Sequence, residues 1–247
     1  MCNTSFDSQF QVIPFYQSHS YMMPFVGNEY ESPKHKKLLL IGESHYMPVG
    51  SSVHHNVNLW YDGNPVLTKP EWGNCDTRGT RIWRSGQLGR EVERCLNSVM
   101  PSNGNGWHQV AFFNYFLRPS EEFIDGNGKK KIRGIEEFWK IYGGKNIDRE
   151  KAIRNLIKVL EILKPDLFAF MSAKVCSFVE PEENGDFVKY FHDYLWKWTE
   201  DHNIIDYIKT NHPSQPPWNK TMPNYGKAHG MTSRDFFCSW LKENWLK

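Results

Sequence analysis

Four short polar clusters stand out because each follows a largely apolar run directly or within two residues. They are Gly42-Glu43-Ser44-His45-Tyr46 after Leu38–Ile41, Asn114-Tyr115 after Val110–Phe113, Ser172-Ala173-Lys174 after Leu167–Met171, and Asn211-His212-Pro213-Ser214 after Ile204–Ile208. Between them they hold a carboxylate, hydroxyls, imidazoles and amides, the groups that move protons and match hydrogen-bonding edges. Any one cluster is explained by a capped turn. Four at equivalent places point to one site, because ligands of open parallel α/β sheets bind outside the carboxyl ends of the strands. Gly42–Tyr46, Asn114 and His212 are therefore expected on loops past those ends, converging on one pocket.

The elements that must position these groups follow from hydrophobic patterning. Lys37 to Gly42, with its unbroken Leu38–Ile41 run, reads as a central strand covered on both faces. Val110–Phe113, Leu167–Met171 and Ile204–Ile208 read as three more. From Ser85, the residues Leu88, Val92, Cys95, Leu96 and Val99 recur at helical spacing up to the breaker Pro101. Asp148 reads as the N-cap of a helix with Ile153, Leu156, Ile157, Leu160 and Leu163 on one face, ended by Lys164-Pro165. Phe187, Phe191, Tyr194, Leu195 and Trp198 mark a further helix, and Thr232 caps a last one carrying Phe236, Phe237, Trp240 and Leu241.

Strand and helix thus alternate, which implies parallel strands joined by right-handed crossovers. The expected fold is a three-layer α/β/α arrangement around a central, mostly parallel four-stranded sheet. With 247 residues and no flexible linker, a single domain over 1–247 is expected. Residues 1–36 read as an N-terminal extension. The stretch 48–80, rich in Gly, Pro, Asn and Asp, reads as a long loop over the site.

Bulk properties narrow the partners. A net charge of +2 permits nucleic acid without demanding it, and the runs Lys34-His35-Lys36-Lys37 and Lys129-Lys130-Lys131 are most simply solvated surface unless they flank the strand ends and meet phosphates. The 15% aromatic content is mostly accounted for by core filling. Five cysteines without a C-x-x-C pair indicate neither a disulfide framework nor a zinc site, so a reducing cytoplasmic location is expected. A mean hydropathy of −0.63 and the lack of an apolar run near the ~20 residues of a membrane span exclude a transmembrane reading. His45, His54 and His55 with Glu43 do not fall at zinc-motif spacings, and no metal or other cofactor is expected.

The order of these motifs over roughly residues 36–216 resembles the uracil-DNA glycosylase superfamily. Leu38-Leu39-Leu40-Ile41-Gly42-Glu43 is similar to the opening motif of its iron-sulfur branch. Ser85-Gly86-Gln87-Leu88 is similar to that branch's Ala-Gly-Gln-Leu helix start, and Leu163-Lys164-Pro165-Asp166-Leu167 and His212-Pro213-Ser214 fit as well. The resemblance implies a uracil-DNA glycosylase-like fold, DNA as partner, and excision of uracil or a related damaged base. It would make His212 the donor to a pyrimidine carbonyl, Asn114 the reader of the base edge, and Glu43 the carboxylate that holds the attacking water. Tyr46, Trp60 and Trp83 are the candidates for stacking on the base, and His45 and Ser214 complete the binding set. Ser44 stands where the best-known branch has its catalytic aspartate, and the turn proline of that branch is missing. The cysteines do not reproduce the four ligands of an iron-sulfur cluster.

The same residues suit two other classes. Gly42-Glu43-Ser44 is similar to the Gly-Asp-Ser loop of SGNH esterases, which would make Ser44 a nucleophile, Asn114 an oxyanion donor and His212 the base. That family has Asp three residues before its histidine, where this chain has Lys209. A catalytically inactive nucleotide- or DNA-binding member of the glycosylase superfamily is the third possibility.

Overall fold

The computed structural model describes residues 2–79, 86–100, 105–172, 174–175, 178, 207–213, 216–221 and 230–247. Its centre is a mostly parallel sheet. β2 (Leu38–Met47) pairs in parallel with β3 (Val110–Ile124) on one side and with β5 (Leu167–Phe170) on the other, and β6 (Tyr207–Lys209) continues in parallel beyond β5. These are the four expected strands. Two short antiparallel strands, β1 (Phe25–Val26) and β4 (Lys130–Ile132), pair with β3. They escaped the pattern because two or three residues carry no period.

The unbroken apolar run of β2 is explained by its two covered faces. Leu39 and Ile41, with Ala111, Phe113, Phe168 and Phe170, face one layer, formed by α7 (Lys145–Leu163), α6 (Ile135–Tyr142) and the N-terminal segment. Leu38 and Leu40, with Val110, Phe112, Leu167 and Ala169, face the other, formed by α5 (Gln87–Val99) and α8 (Ser233–Asn244). Alternate side chains on a strand point to opposite faces, so one run builds both cores of a three-layer α/β/α structure.

Residues 1–36 are not an appendage. The short helices α1 (Asp7–Phe10) and α2 (Pro14–Ser18) place Phe10, Phe15 and Tyr16 in the first core, and β1 adds an edge to the sheet. Nor is the stretch after β2 a bare loop. It carries α3 (Val57–Asp62), with Asn56 capping two backbone N–H groups, and α4 (Lys69–Cys75), with a capping box of Thr68 and Glu71.

Asp148 is not the cap of α7 either. The helix begins one turn earlier, after Gly144, whose φ of 85° suits glycine and whose missing side chain clears Arg118 and Val57. Asp148 points inward and pairs with Arg118, both side chains fully buried. Lys164 closes α7 in a left-handed conformation before Pro165, as expected. Thr232 caps α8 by accepting from the Asp235 N–H at 3.0 Å. The expected helix over 187–198 and the start of the fourth strand at 204–206 lie outside the described residues.

Candidate active site

The ladder between β2 and β5 stops at Ile41 and Phe170, whereas β2 and β3 stay paired through Gly42–Asn114 and Ser44–Phe116 to Met47–Glu121. The sheet therefore opens on one side of β2 at its carboxyl end. Glu43–Tyr46 are consequently part of a strand rather than a loop past it, because main-chain pairing with β3 continues where the apolar run ends. A register shift between Ser44 and Tyr46 moves the β3 partner from Phe116 to Ser120. Such irregularities re-aim side chains beside sites.

A cavity of about 230 Å³ lies at this end, lined by Ser44, His45, Tyr46, Asn114 and His212 from the expected set. Gly86, Gln87 and Leu88 at the start of α5 also line it, together with Phe112, Asn74, Glu122 and Ile132. Drug-sized pockets run to roughly 300–1,000 Å³, so this one suits a single flat ring.

Each group has a local reason for its place. Asn114 projects from β3 opposite Gly42, whose lack of a side chain leaves room for the amide. The chain after β6 is held by Thr210 Oγ1, which donates to Phe170 O, and by Asn211 Nδ2, which bonds Ser233 Oγ at 2.9 Å. His212 follows directly. Burial pushes its imidazole pKa down to about 4, so it presents a neutral ring at physiological pH.

His45 is fixed differently. Its Nδ1–H donates to Asn74 O at 3.1 Å, Nε2 lies 3.0 Å from Thr77 Oγ1, and burial lowers its pKa to about 4. Both nitrogens are engaged with the protein, which makes it a wall rather than a ligand-binding arm. Asn74 Nδ2 also donates to Tyr46 O at 2.9 Å, so α4 holds the end of β2. The Tyr46 phenol is pushed to higher pKa, first by burial and then by the Glu43 charge.

Other expected residues fall elsewhere. Glu43 is not among the described lining residues; its Oε2 accepts from Ser172 Oγ at 2.8 Å across the opening between β2 and β5. Trp60 is fully buried and donates Nε1–H to Leu117 O at 3.2 Å, which removes it as a stacking candidate. Trp83 and Ser214 lie outside the described residues. Ser44, only 7% exposed, sits within the β2 ladder rather than on the sharp strand-to-helix turn that presents an esterase nucleophile.

Phe112 was legible in principle, since it stands two residues before Asn114 and so shares its face of β3. Glu122 and Ile132 were not, because they enter through the β3–β4 hairpin. That hairpin also brings the Lys129–Lys131 run beside the cavity, with Lys130 Nζ 2.6 Å from Glu122 Oε2. The Lys34–Lys37 run precedes β2 and so lies at the opposite end of the strand.

No family model matches this sequence, and no curated protein matches it. Among solved structures it is similar to one described as wild-type Pedobacter heparinus SMUG2, at 15% identity over 83% of this chain and 73% of that chain, with a TM-score of 0.34. No helix among the described residues is long and apolar enough to cross a membrane.

Proposed function

We propose that this chain is a uracil-DNA glycosylase-like protein that takes a pyrimidine-type base, flipped out of DNA, into the cavity and hydrolyses its N-glycosidic bond. The observation that carries the reading is that Asn114, on β3, and His212, in the chain just past β6, line one cavity of single-ring size. Flipping costs roughly a few kcal/mol, and stacking returns about 1–3 kcal/mol per base. Phe112 and Tyr46 are the aromatic walls available for it.

An amide can donate to a carbonyl and accept from the neighbouring imide N–H, which suits uracil and opposes cytosine, where those roles reverse. As the bond between the base and the sugar C1′ breaks, the electron pair leaves with the base. The neutral His212 N–H donates to the base oxygen that gains the charge. Water oxygen then bonds C1′ and its proton is released. Glu43, held by Ser172 across the opening between β2 and β5 and outside the cavity lining, is assigned from the glycosylase resemblance as the carboxylate that offsets the cationic sugar and orients that water.

Uracil-containing oligonucleotides, single- and double-stranded, incubated with the protein should acquire alkali-labile sites. Asn114→Ala and His212→Ala should each slow this by about 100-fold or more, the usual loss for one transition-state donor. Intact substrates after long incubation with wild-type protein overturn the reading. Covalent labelling of Ser44 by a fluorophosphonate probe would replace it with the esterase, whereas salt-sensitive oligonucleotide binding without cleavage would replace it with the inactive module.

A further inference from the structure

We propose that His54, His55 and Glu121 form a binding site for a divalent transition-metal ion of the zinc class. The inference does not depend on the base-excision reading. The potential ligand atoms of these residues all lie within 4.8 Å of one another. Sequence spacing hides the set, because the carboxylate comes from β3, far along the chain from the adjacent histidines.

The observation that points to a ligand is His54. Its side chain is fully buried, and neither Nδ1 nor Nε2 has a hydrogen-bond partner. A buried polar atom left unpaired costs free energy, and an imidazole with two such atoms does so twice. An ion bound at either nitrogen would satisfy one of them. His55 Nε2 already lies 3.0 Å from Glu121 Oε2, close to the separation of roughly 3.3 Å between two ligands of a tetrahedral ion bound at about 2.0 Å. The third donor, on His54, lies within 4.8 Å of both.

The surroundings are built to hold these donors. The His54 ring stacks on Phe138 with centroids 5.2 Å apart and planes 9° from parallel, and His55 stacks on Tyr142 at 3.7 Å and 16°. Arg118 Nη1 donates to the backbone carbonyls of both histidines, pinning the loop. Glu121 Oε1 accepts from Arg133 Nε at 2.7 Å, and the Tyr142 hydroxyl stands 3.4 Å from both carboxylate oxygens. Outer contacts of this kind orient metal ligands.

Charge does not forbid the ion. Arg118 is neutralised by Asp148 and Arg133 also pairs with Glu137, so three carboxylates face two guanidiniums. Two imidazoles and one carboxylate are the donor set of three-ligand zinc sites, whose fourth position takes water or another oxygen. Binding at His55 Nε2 requires the ring to carry its single proton on Nδ1, so that it ligates as a neutral imidazole. The ion would clamp the loop after β2 to β3. Glu121 also neighbours Glu122 of the cavity wall, with its side chain on the opposite face of β3.

Chelator-treated full-length protein should be titrated with Zn²⁺ by calorimetry and with Co²⁺ by visible absorption. The expected result is one ion per chain at micromolar or tighter affinity, with the intense Co²⁺ bands of four- or five-coordinate geometry. His55→Ala and Glu121→Gln should each weaken binding by about tenfold or more, while His108→Ala leaves it unchanged. Weak octahedral Co²⁺ bands in the wild type, or unchanged affinity in a folded Glu121→Gln protein, overturn the site. The Co²⁺ spectrum decides the matter even if a ligand variant fails to fold.

Discussion

Gly42 and Asn114 face each other directly across β2 and β3, and a β-carbon on Gly42 would fall inside contact distance of Asn114 Oδ1 and the Phe112 ring. The glycine that ends the apolar run thus makes space for the amide, so a backbone feature and a site residue are one unit. Gly42→Ala should destabilise the fold by about 1–3 kcal/mol, the usual cost of overpacking, as measured by urea unfolding. In an Asn114→Ala background that penalty should shrink by about 0.5 kcal/mol or more, because one of the two obstructing groups is gone. Equal penalties in both backgrounds would show that the amide does not occupy the space.

A second prediction concerns the buried ion pair that anchors α7. Asp148 accepts from Arg118 Nε and Nη2 at 3.0 and 2.6 Å, from Tyr61 OH at 2.9 Å and from Trp139 Nε1 at 2.6 Å. Asp148→Asn keeps the shape but leaves the Arg118 guanidinium buried without a countercharge. Unfolding free energy should fall by about 3–5 kcal/mol. Arg118 also holds the His54 and His55 carbonyls, so hydrogen exchange in that loop should accelerate in the same variant. A loss below about 1 kcal/mol, the scale of a surface pair, would contradict this account.

These two relationships mark what the sequence can and cannot express. The parallel core was legible because Leu38–Ile41, Val110–Phe113 and Leu167–Phe170 are apolar on both faces, a local property. The convergence of Asn114 and His212 on one cavity was legible through topology, since strand ends of a parallel sheet share an edge. Asp148 misled because an acidic residue near a helix start looks like a cap, and only Arg118 across the structure reveals its inward role. Phe10 and Tyr16 misled because a few apolar residues on four- and five-residue helices show no clear period. Glu121 and Glu122 were hidden in the part of β3 beyond its four-residue apolar run Val110–Phe113, where pairing of Glu121 with β2 and of Glu122 with β4 replaces hydrophobic patterning.

The third prediction follows from the neutral, enclosed ring of His45. In the folded protein its pKa is about 4, against an ordinary value of 6.5 that it regains on unfolding. Above pH 6.5 both states are neutral, and the full contribution of the buried ring is present. Below it the unfolded chain takes the proton first, so stability is lost as pH falls until the folded state also protonates near pH 4. Shifts of this size correspond to about 3 kcal/mol. His212 is lowered in the same direction, also to about 4, so both act in one window. His45→Gln retains an amide for Asn74 and Thr77 but cannot titrate. Between pH 6 and 4 the slope of its unfolding free energy should therefore be shallower than wild type by up to about 1.4 kcal/mol per pH unit, one proton's worth. Identical slopes would mean that His45 binds its proton as readily in the fold as outside it, which the contacts of both ring nitrogens oppose.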